Sequence, residues 1–321
     1  MRKLVSLLII FQFIFSVCSP SHAVWIWDPK TGKWSNPKYE VKGSAREQFR
    51  HAEGFEKKGK WERAAKEYKK LVKAYPTSPL APQALRKSAE AYKKSGYYYE
   101  AFKAYQMIVE KYPSYPEIQA IVEEEFKIGN LFLSGKRKKM KFIKLALFPS
   151  MDTAIEIFQK VVENFPYGNL AEQAQLNIGK AYQKKKKYPE AMEAYKKLLK
   201  EYKNSSLRDE AKYRMGLCAY KQSKGAAYDQ AATDKALEVF KEFLREHPES
   251  PRLNDVKVKI QELNARKSQG LFEIASYYDK VGENKSAEVY YQQVIETFPE
   301  SEEAKIARER IDALLKHSKK N

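Results

Sequence analysis

Apolar residues return along this chain with two periods. Within short stretches they fall at i, i+4, i+7, i+8 and i+11, which is one face of a helix. Over longer distances the stretch itself returns: an Ala, an aromatic four residues on, two apolar residues, then an aromatic that usually precedes Pro. The copies begin at Ala64 ("AAKEYKKLVKAYP"), Ala101 ("AFKAYQMIVEKYP"), Ala154 ("AIEIFQKVVENFP"), Ala191 ("AMEAYKKLLKEYK"), Ala236 ("ALEVFKEFLREHP") and Ala287 ("AEVYYQQVIETFP"). Their spacings are 37, 53, 37, 45 and 51 residues, so 37 is the base period and the longer gaps hold insertions. Proline ends each helix, because its ring cannot continue one and biases the preceding residue away from helix. Lys203 stands in its place in the fourth copy.

A second helix precedes each anchor. In "AEAYKKSGYYYEA", "IGKAYQKKKKYPEA" and "IASYYDKVGENKSAE" a small residue is followed three later by an aromatic: Ala89 and Tyr92, Gly179 and Tyr182, Ala275 and Tyr278. The small residue lets two helices approach and the aromatic fills the space between them. A short turn with Gly or Lys follows, and Trp61, Tyr98 or Tyr188 opens the next helix. This pattern resembles the tetratricopeptide repeat (TPR) over about residues 44–316. It predicts an all-α fold: a right-handed superhelical solenoid of about six helix-turn-helix repeats, closed by a capping helix in "EEAKIARERIDALLKH", with a polar tail at 317–321. One hairpin cannot bury its own apolar face, so neighbours must stack, and the helix before each anchor lines a groove. By phase, the groove positions include Phe49, Glu53, Arg86, Glu90, Lys93, Lys180 and Gln183.

Three segments break the regularity. Ser134 to Ser150 lies between the two helices of the third repeat, with Lys136, Arg137, Lys138, Lys139, Lys141 and Lys144 ahead of an apolar "LALF". It reads as a solvated basic loop with an apolar tuck; a helix extension and an amphipathic element resting on anionic lipid are the alternatives. A long connection, "KQSKGAAYDQAATD", sits in the fifth repeat. From Arg252 to about Lys280 there is no Pro and only Gly270, which predicts one or two long helices.

The start of the chain is of another kind. Arg2 and Lys3 precede a nearly unbroken apolar run, Leu4 to Val17, and small residues follow. Fourteen residues at about 1.5 Å each span roughly 21 Å, less than the ~30 Å bilayer core. That order predicts a secretory signal over residues 1–23 rather than a membrane span. Ser21 and Ala23 suit a cut after Ala23; lipidation at Cys18 is the alternative, although Val17 is bulky for that site. Residues 24–43 hold three of the four Trp among turn signals. These indoles are expected to pack on the first repeat, or else to dock on a partner.

Charge changes the picture only through export. Lys and Arg number 60 against 41 Asp and Glu, a net +19, and +17 once residues 1–23 are removed. Such a balance usually suggests nucleic acid, but an exported chain meets lipid head groups, wall polymer or acidic proteins instead. No nucleic-acid partner is expected. Cys18 and Cys218 are the only cysteines, so no disulfide framework is possible. His51, His247 and His317 lie far apart, and no HExxH, CxxC, GxxxxGK[ST] or GxSxG occurs. Neither catalysis nor a cofactor nor a metal is expected.

Toward the C-terminus the likeness narrows. Asp229-Gln230 with Thr233, "HPES", the long linking stretch, "IASYYDKVGENKSA" and "VIETFPES" are similar to the BamD family of periplasmic TPR proteins. The resemblance implies a scaffold in outer-membrane β-barrel assembly, located in the periplasm beside the outer membrane. Its implied partners are the barrel-forming assembly subunit and unfolded outer-membrane protein segments. Val17, the basic insertion and the Trp-rich start depart from the family pattern. The rival readings are a TPR partner of a division complex, like the Tol–Pal coordinators, and a peripheral binder of anionic lipid or polymer.

Overall fold

The computed structural model describes residues 25–28, 33–35, 40–136, 151–225 and 230–318. Cys18, the signal, Arg137 to Lys144 and the tail at 319–321 lie outside them. The chain divides into two units, Met1–Ser95 and Gly96–Asn321. Its fold is an all-α TPR solenoid with one small hairpin at the start.

In the first unit, β1 (Ile26–Asp28) pairs antiparallel with β2 (Lys33–Ser35), placing Trp27 opposite Trp34. Three helices follow: α1 (Ala45–Lys57), α2 (Trp61–Ala74) and α3 (Leu80–Lys94). The second unit holds α4 (Tyr98–Lys111), α5 (Ile118–Leu133), α6 (Met151–Asn164), α7 (Asn169–Lys184) and α8 (Tyr188–Glu201). It continues with α9 (Arg208–Gly225), α10 (Gln230–Glu246), α11 (Leu253–Lys280), α12 (Asn284–Thr297) and α13 (Glu302–Ser318). Within each unit every helix packs on its sequence neighbours, and first helices of successive hairpins also touch, as α1 with α3 and α5 with α7. That is the contact pattern of a repeat array.

The anchors explain the packing. Ala64, Ala101, Ala154, Ala191, Ala236 and Ala287 are fully buried, and the aromatics four residues on are buried with them. Where the ring presses hardest, the facing helix has no Cβ at all. A methyl on Gly179 would sit 2.3 Å from Tyr195 Cε1, one on Gly216 2.4 Å from Phe240, and one on Gly129 2.7 Å from Phe158. The turns between paired helices need left-handed backbone: Gly59 and Gly282 supply it, and Lys186 adopts φ +58° without being Gly. Helix α8 ends at Glu201 despite Lys203, with the Tyr202 N–H bonded to Leu198 O like Tyr75 to Leu71. The stop therefore rests on the aromatic residue before Pro as much as on Pro itself.

Helix α11 answers the long linking stretch. Its 28 residues form one helix of about 42 Å. Val256 and Leu263 at its start join the cluster around Phe240 and Phe243, while Leu271 and Ala275 near its end join the cluster around Tyr291. The stretch is both the wall of the fifth repeat and the first helix of the sixth. The Trp-rich start differs from expectation. Trp25, Trp27 and Trp34 do not pack down on the first repeat; all three are exposed, and Trp27 meets Trp34 edge to face across the strands at 5.6 Å. Cross-strand pairing, rather than the helices, gives these rings their contact.

Candidate functional site

The first-helix face of each unit carries a repeating polar device. Tyr68 on α2 donates from its hydroxyl to Glu56 Oε2 on α1 at 2.7 Å. Tyr195 on α8 donates to Gln183 Oε1 on α7 at 3.0 Å, and Tyr291 on α12 to Asp279 Oδ2 on α11 at 3.1 Å. Each acceptor lies twelve residues before its Tyr and takes a second bond from a cation 31 residues further on. Lys87 Nζ lies 3.4 Å from Glu56 Oε1, Arg214 Nη1 donates to Gln183 at 3.1 Å, and Arg310 Nε to Asp279 at 2.9 Å. One acceptor thus joins the hairpin's second helix to the first helix of the next hairpin. Burial, followed by the Glu56 carboxylate, pushes the Tyr68 hydroxyl well above the usual phenol range, and burial does the same to Tyr195. Both stay neutral donors.

In the second unit the device widens into a charged seam across α7, α9 and α11. Arg252 donates to Asp209 Oδ2 at 2.5 Å and also bonds Glu210, which accepts from Arg214 Nε at 2.5 Å. Tyr213 donates to Asp255 Oδ2 at 2.7 Å, with the Arg252 guanidinium 5.3 Å from its ring centre. Burial and the nearby Arg214 charge hold the Lys180 amine below the usual lysine range. Burial alone would raise Glu210, but the bond and charge of Arg214, with Arg252 and Lys180, bring it below the usual carboxylate range.

The expected groove positions separate accordingly. Arg86 and Glu90 pair on α3 at 3.1 Å, half-buried, and Glu53 and Lys93 are half-buried on the first helices of the same unit. Lys180 and Gln183 stand together on α7 of the second unit. Phe49 is a correction: its ring is buried edge to face on Tyr68 at 5.2 Å, so it belongs to the core. Phe49 falls on the inner side of α1 because Gln48 beside it turns inward to Glu67, bonding its carbonyl and carboxylate at 3.0 Å. Of the basic insertion, Lys136 is described, with its ammonium 5.3 Å from the Tyr98 ring centre. Arg137, Lys138, Lys139, Lys141 and Lys144 lie outside the described residues.

A cleft of about 870 Å³ opens on the other side of α7, over Val162, Ile178, Tyr182 and Met192. Gln175, Ile178 and Tyr182 share one face of α7 while Asn177, Lys180 and Gln183 share the opposite one. Its rim glutamates are already matched, Glu163 with Lys160 at 2.7 Å and Glu190 with Lys187 at 3.3 Å. Such a cleft can shelter an apolar side chain. Elsewhere, Glu125 on α5 is wholly buried, and burial pushes its carboxyl up to about 8 although the Gln106 amide donates to both oxygens at 2.9 Å. Cys218 is buried, with its thiol pushed up to about 12 by burial, which makes it a packing residue.

The seam presents alternating donors, acceptors and charges along the first-helix faces. Among the described residues no group of three or more His, Cys, Asp or Glu could hold a metal ion, and no helix is long and apolar enough to cross a membrane.

Residues 49–116 match the tetratricopeptide repeat. A curated relative, the outer membrane protein assembly factor BamD of Caulobacter vibrioides, is 25% identical over 143 residues, covering 44% of this chain. The match spans about half (47%) of the length of that relative. Among solved structures, the C-terminal part of a TPR protein from Cytophaga hutchinsonii is 15% identical, covering 82% of this chain and 87% of that one at a TM-score of 0.35. A TPR protein from Parabacteroides merdae is 13% identical, with 85% and 100% covered and a TM-score of 0.34. Residues 149–317, just over half of the chain and all of α6 to α13 up to His317, match the family described as YfiO, outer membrane lipoprotein. The chain belongs to the YfiO family of outer membrane lipoproteins.

Proposed function

We propose that this protein is a periplasmic scaffold in the assembly of outer-membrane β-barrel proteins, holding the assembly subunit and unfolded barrel segments against its first-helix faces. The family match across α6 to α13 carries the reading. The seam of Lys180, Gln183, Glu210, Arg214 and Arg252 supports it, because half-buried donors and acceptors in fixed order can hold an extended or helical chain without reacting with it. In the first unit, Glu53, Arg86, Glu90 and Lys93 are the corresponding contacts.

Native copurification after cross-linking, combined with depletion, tests this. The expected result is capture of a barrel-forming assembly protein and loss of several outer-membrane barrels on depletion. Recovery of division-complex proteins with normal barrel levels would overturn it in favour of the coordinator reading. The family's description as lipoproteins supports acylation of Cys18, against the local preference for a cut after Ala23. Intact mass of the processed N-terminus decides between the two.

A further inference from the structure

The Trp-rich hairpin has no part in the polar seam or in the repeat core. Trp27 on β1 lies opposite Trp34 on β2, and Trp25 stands two residues before Trp27, just ahead of the strand. Two indoles thus share one side of a two-stranded hairpin with a third at its start, all between 47% and 62% exposed. A two-stranded hairpin has little stability of its own and gains from whatever covers it. The chain that follows is fastened to the first repeat: the Lys42 N–H donates to Gln48 Oε1 at 3.0 Å, and its carbonyl accepts from the Tyr75 hydroxyl at 2.6 Å.

The chemistry of these rings selects their partner. A protein pocket typically swallows one recessed anchor, whereas three evenly exposed rings present a broad surface. Indole is large and apolar with a single N–H donor, which suits the layer between acyl chains and head groups better than either water or hydrocarbon. Residues 24–43 carry Lys30, Lys33, Lys38 and Lys42 against Asp28 and Glu40, so the segment is positive and complements anionic head groups.

We propose that the hairpin rings of Trp25, Trp27 and Trp34 seat in the interfacial layer of an anionic lipid bilayer, independently of any acyl chain on Cys18. It is tested on the secreted protein carrying Cys18→Ser, with its mass verified, against vesicles of phosphatidylcholine alone and of phosphatidylcholine with phosphatidylglycerol. Expected are cosedimentation with the anionic vesicles, a blue shift of tryptophan emission, and quenching by brominated acyl chains. The triple variant Trp25→Ala, Trp27→Ala, Trp34→Ala retains Trp61 and the helical circular dichroism, and its affinity for anionic vesicles falls at least about tenfold. Replacing the same three residues by Tyr restores most of the binding. Unchanged binding by the alanine variant, equal binding to both vesicle types, or loss of a copurifying protein without any vesicle binding by the parent would each overturn the assignment.

Discussion

Four repeats carry Tyr four residues after the alanine anchor and two carry Phe, and three of the Tyr repeats are built differently from the Phe ones. Tyr68, Tyr195 and Tyr291 each find an acceptor twelve residues earlier, four past a small residue: Ala52 and Glu56, Gly179 and Gln183, Ala275 and Asp279. Phe158 and Phe240 sit in the repeats with insertions, against Gly129 and Gly216. Four residues past those glycines stand Leu133 and Tyr220. A buried hydroxyl without a partner costs more than no hydroxyl at all. In three of the four Tyr repeats an acceptor therefore accompanies the hydroxyl, whereas the second repeat sets Lys93 twelve residues before Tyr105; the Phe repeats rely on packing where those three add a bonded bridge to the next hairpin.

Removing a ring should separate the two kinds most clearly. Phe240 is fully buried and holds α9 and α10 together, so Phe240→Ala should cost roughly 3–5 kcal/mol. Urea unfolding checks this, and a loss below about 1 kcal/mol would mean the hairpin does not depend on the ring.

The third repeat keeps a buried polar group of another sort, one that can ionise. Glu125 is raised to about 8 from an ordinary 4.5, chiefly by burial. A raised carboxyl binds its proton better in the folded protein, so its stabilisation is complete below about pH 4.5 and is lost as pH rises toward 8. The parent should lose on the order of a few kcal/mol between about pH 5 and pH 9, and Glu125→Gln, which stays neutral, should flatten that slope. Parallel slopes for the two proteins would show that Glu125 is not the group responsible.

The inverse change tests the coupling of ring and acceptor. Phe158→Tyr places a hydroxyl near Leu133, where no acceptor is due, and should cost roughly 1–3 kcal/mol. The double variant with Leu133→Gln should recover part of it, because Gln would then occupy the place Gln183 holds beside Tyr195. Equal stability of Phe158→Tyr and the parent would break the comparison.

The apolar half of this design was legible in the chain, and the polar half was not. Ala anchors, rings, the opening residues Trp61, Tyr98 and Tyr188, and the unbroken α11 follow from periodicity and from the absence of Pro. Polar acceptors leave no hydrophobic period, and their cations belong to the next hairpin, 31 residues on. The signal was nonetheless present. Copies aligned on their anchors place Glu56, Gln183 and Asp279 in one column, an acceptor in three of the four copies whose ring is Tyr, with Lys93 in the fourth. Phe49 misled because phase alone assigned it to the groove, whereas the Gln48 bonds to Glu67 set which side of α1 turns inward. Exposure of the Trp hairpin was out of reach too, since two short strands can satisfy one another without touching the helices.

The smallest expected effect is the most specific. Tyr195→Phe leaves the ring and its packing on Gly179 unchanged and removes a single hydrogen bond. Gln183 keeps its bond from Arg214, so no buried acceptor is orphaned and the cost should be about 1 kcal/mol. If the bridge works as one unit, Tyr195→Phe and Arg214→Met should not add. Losing both donors leaves Gln183 Oε1 unmatched, so the double variant should fall further than the sum of the single changes by at least about 0.5 kcal/mol. The same pair of changes with Phe240→Leu replacing Tyr195→Phe should be additive, because no hydroxyl links that ring to Arg214. Additivity in both cycles would reduce the Tyr repeats to the packing on which the Phe repeats depend.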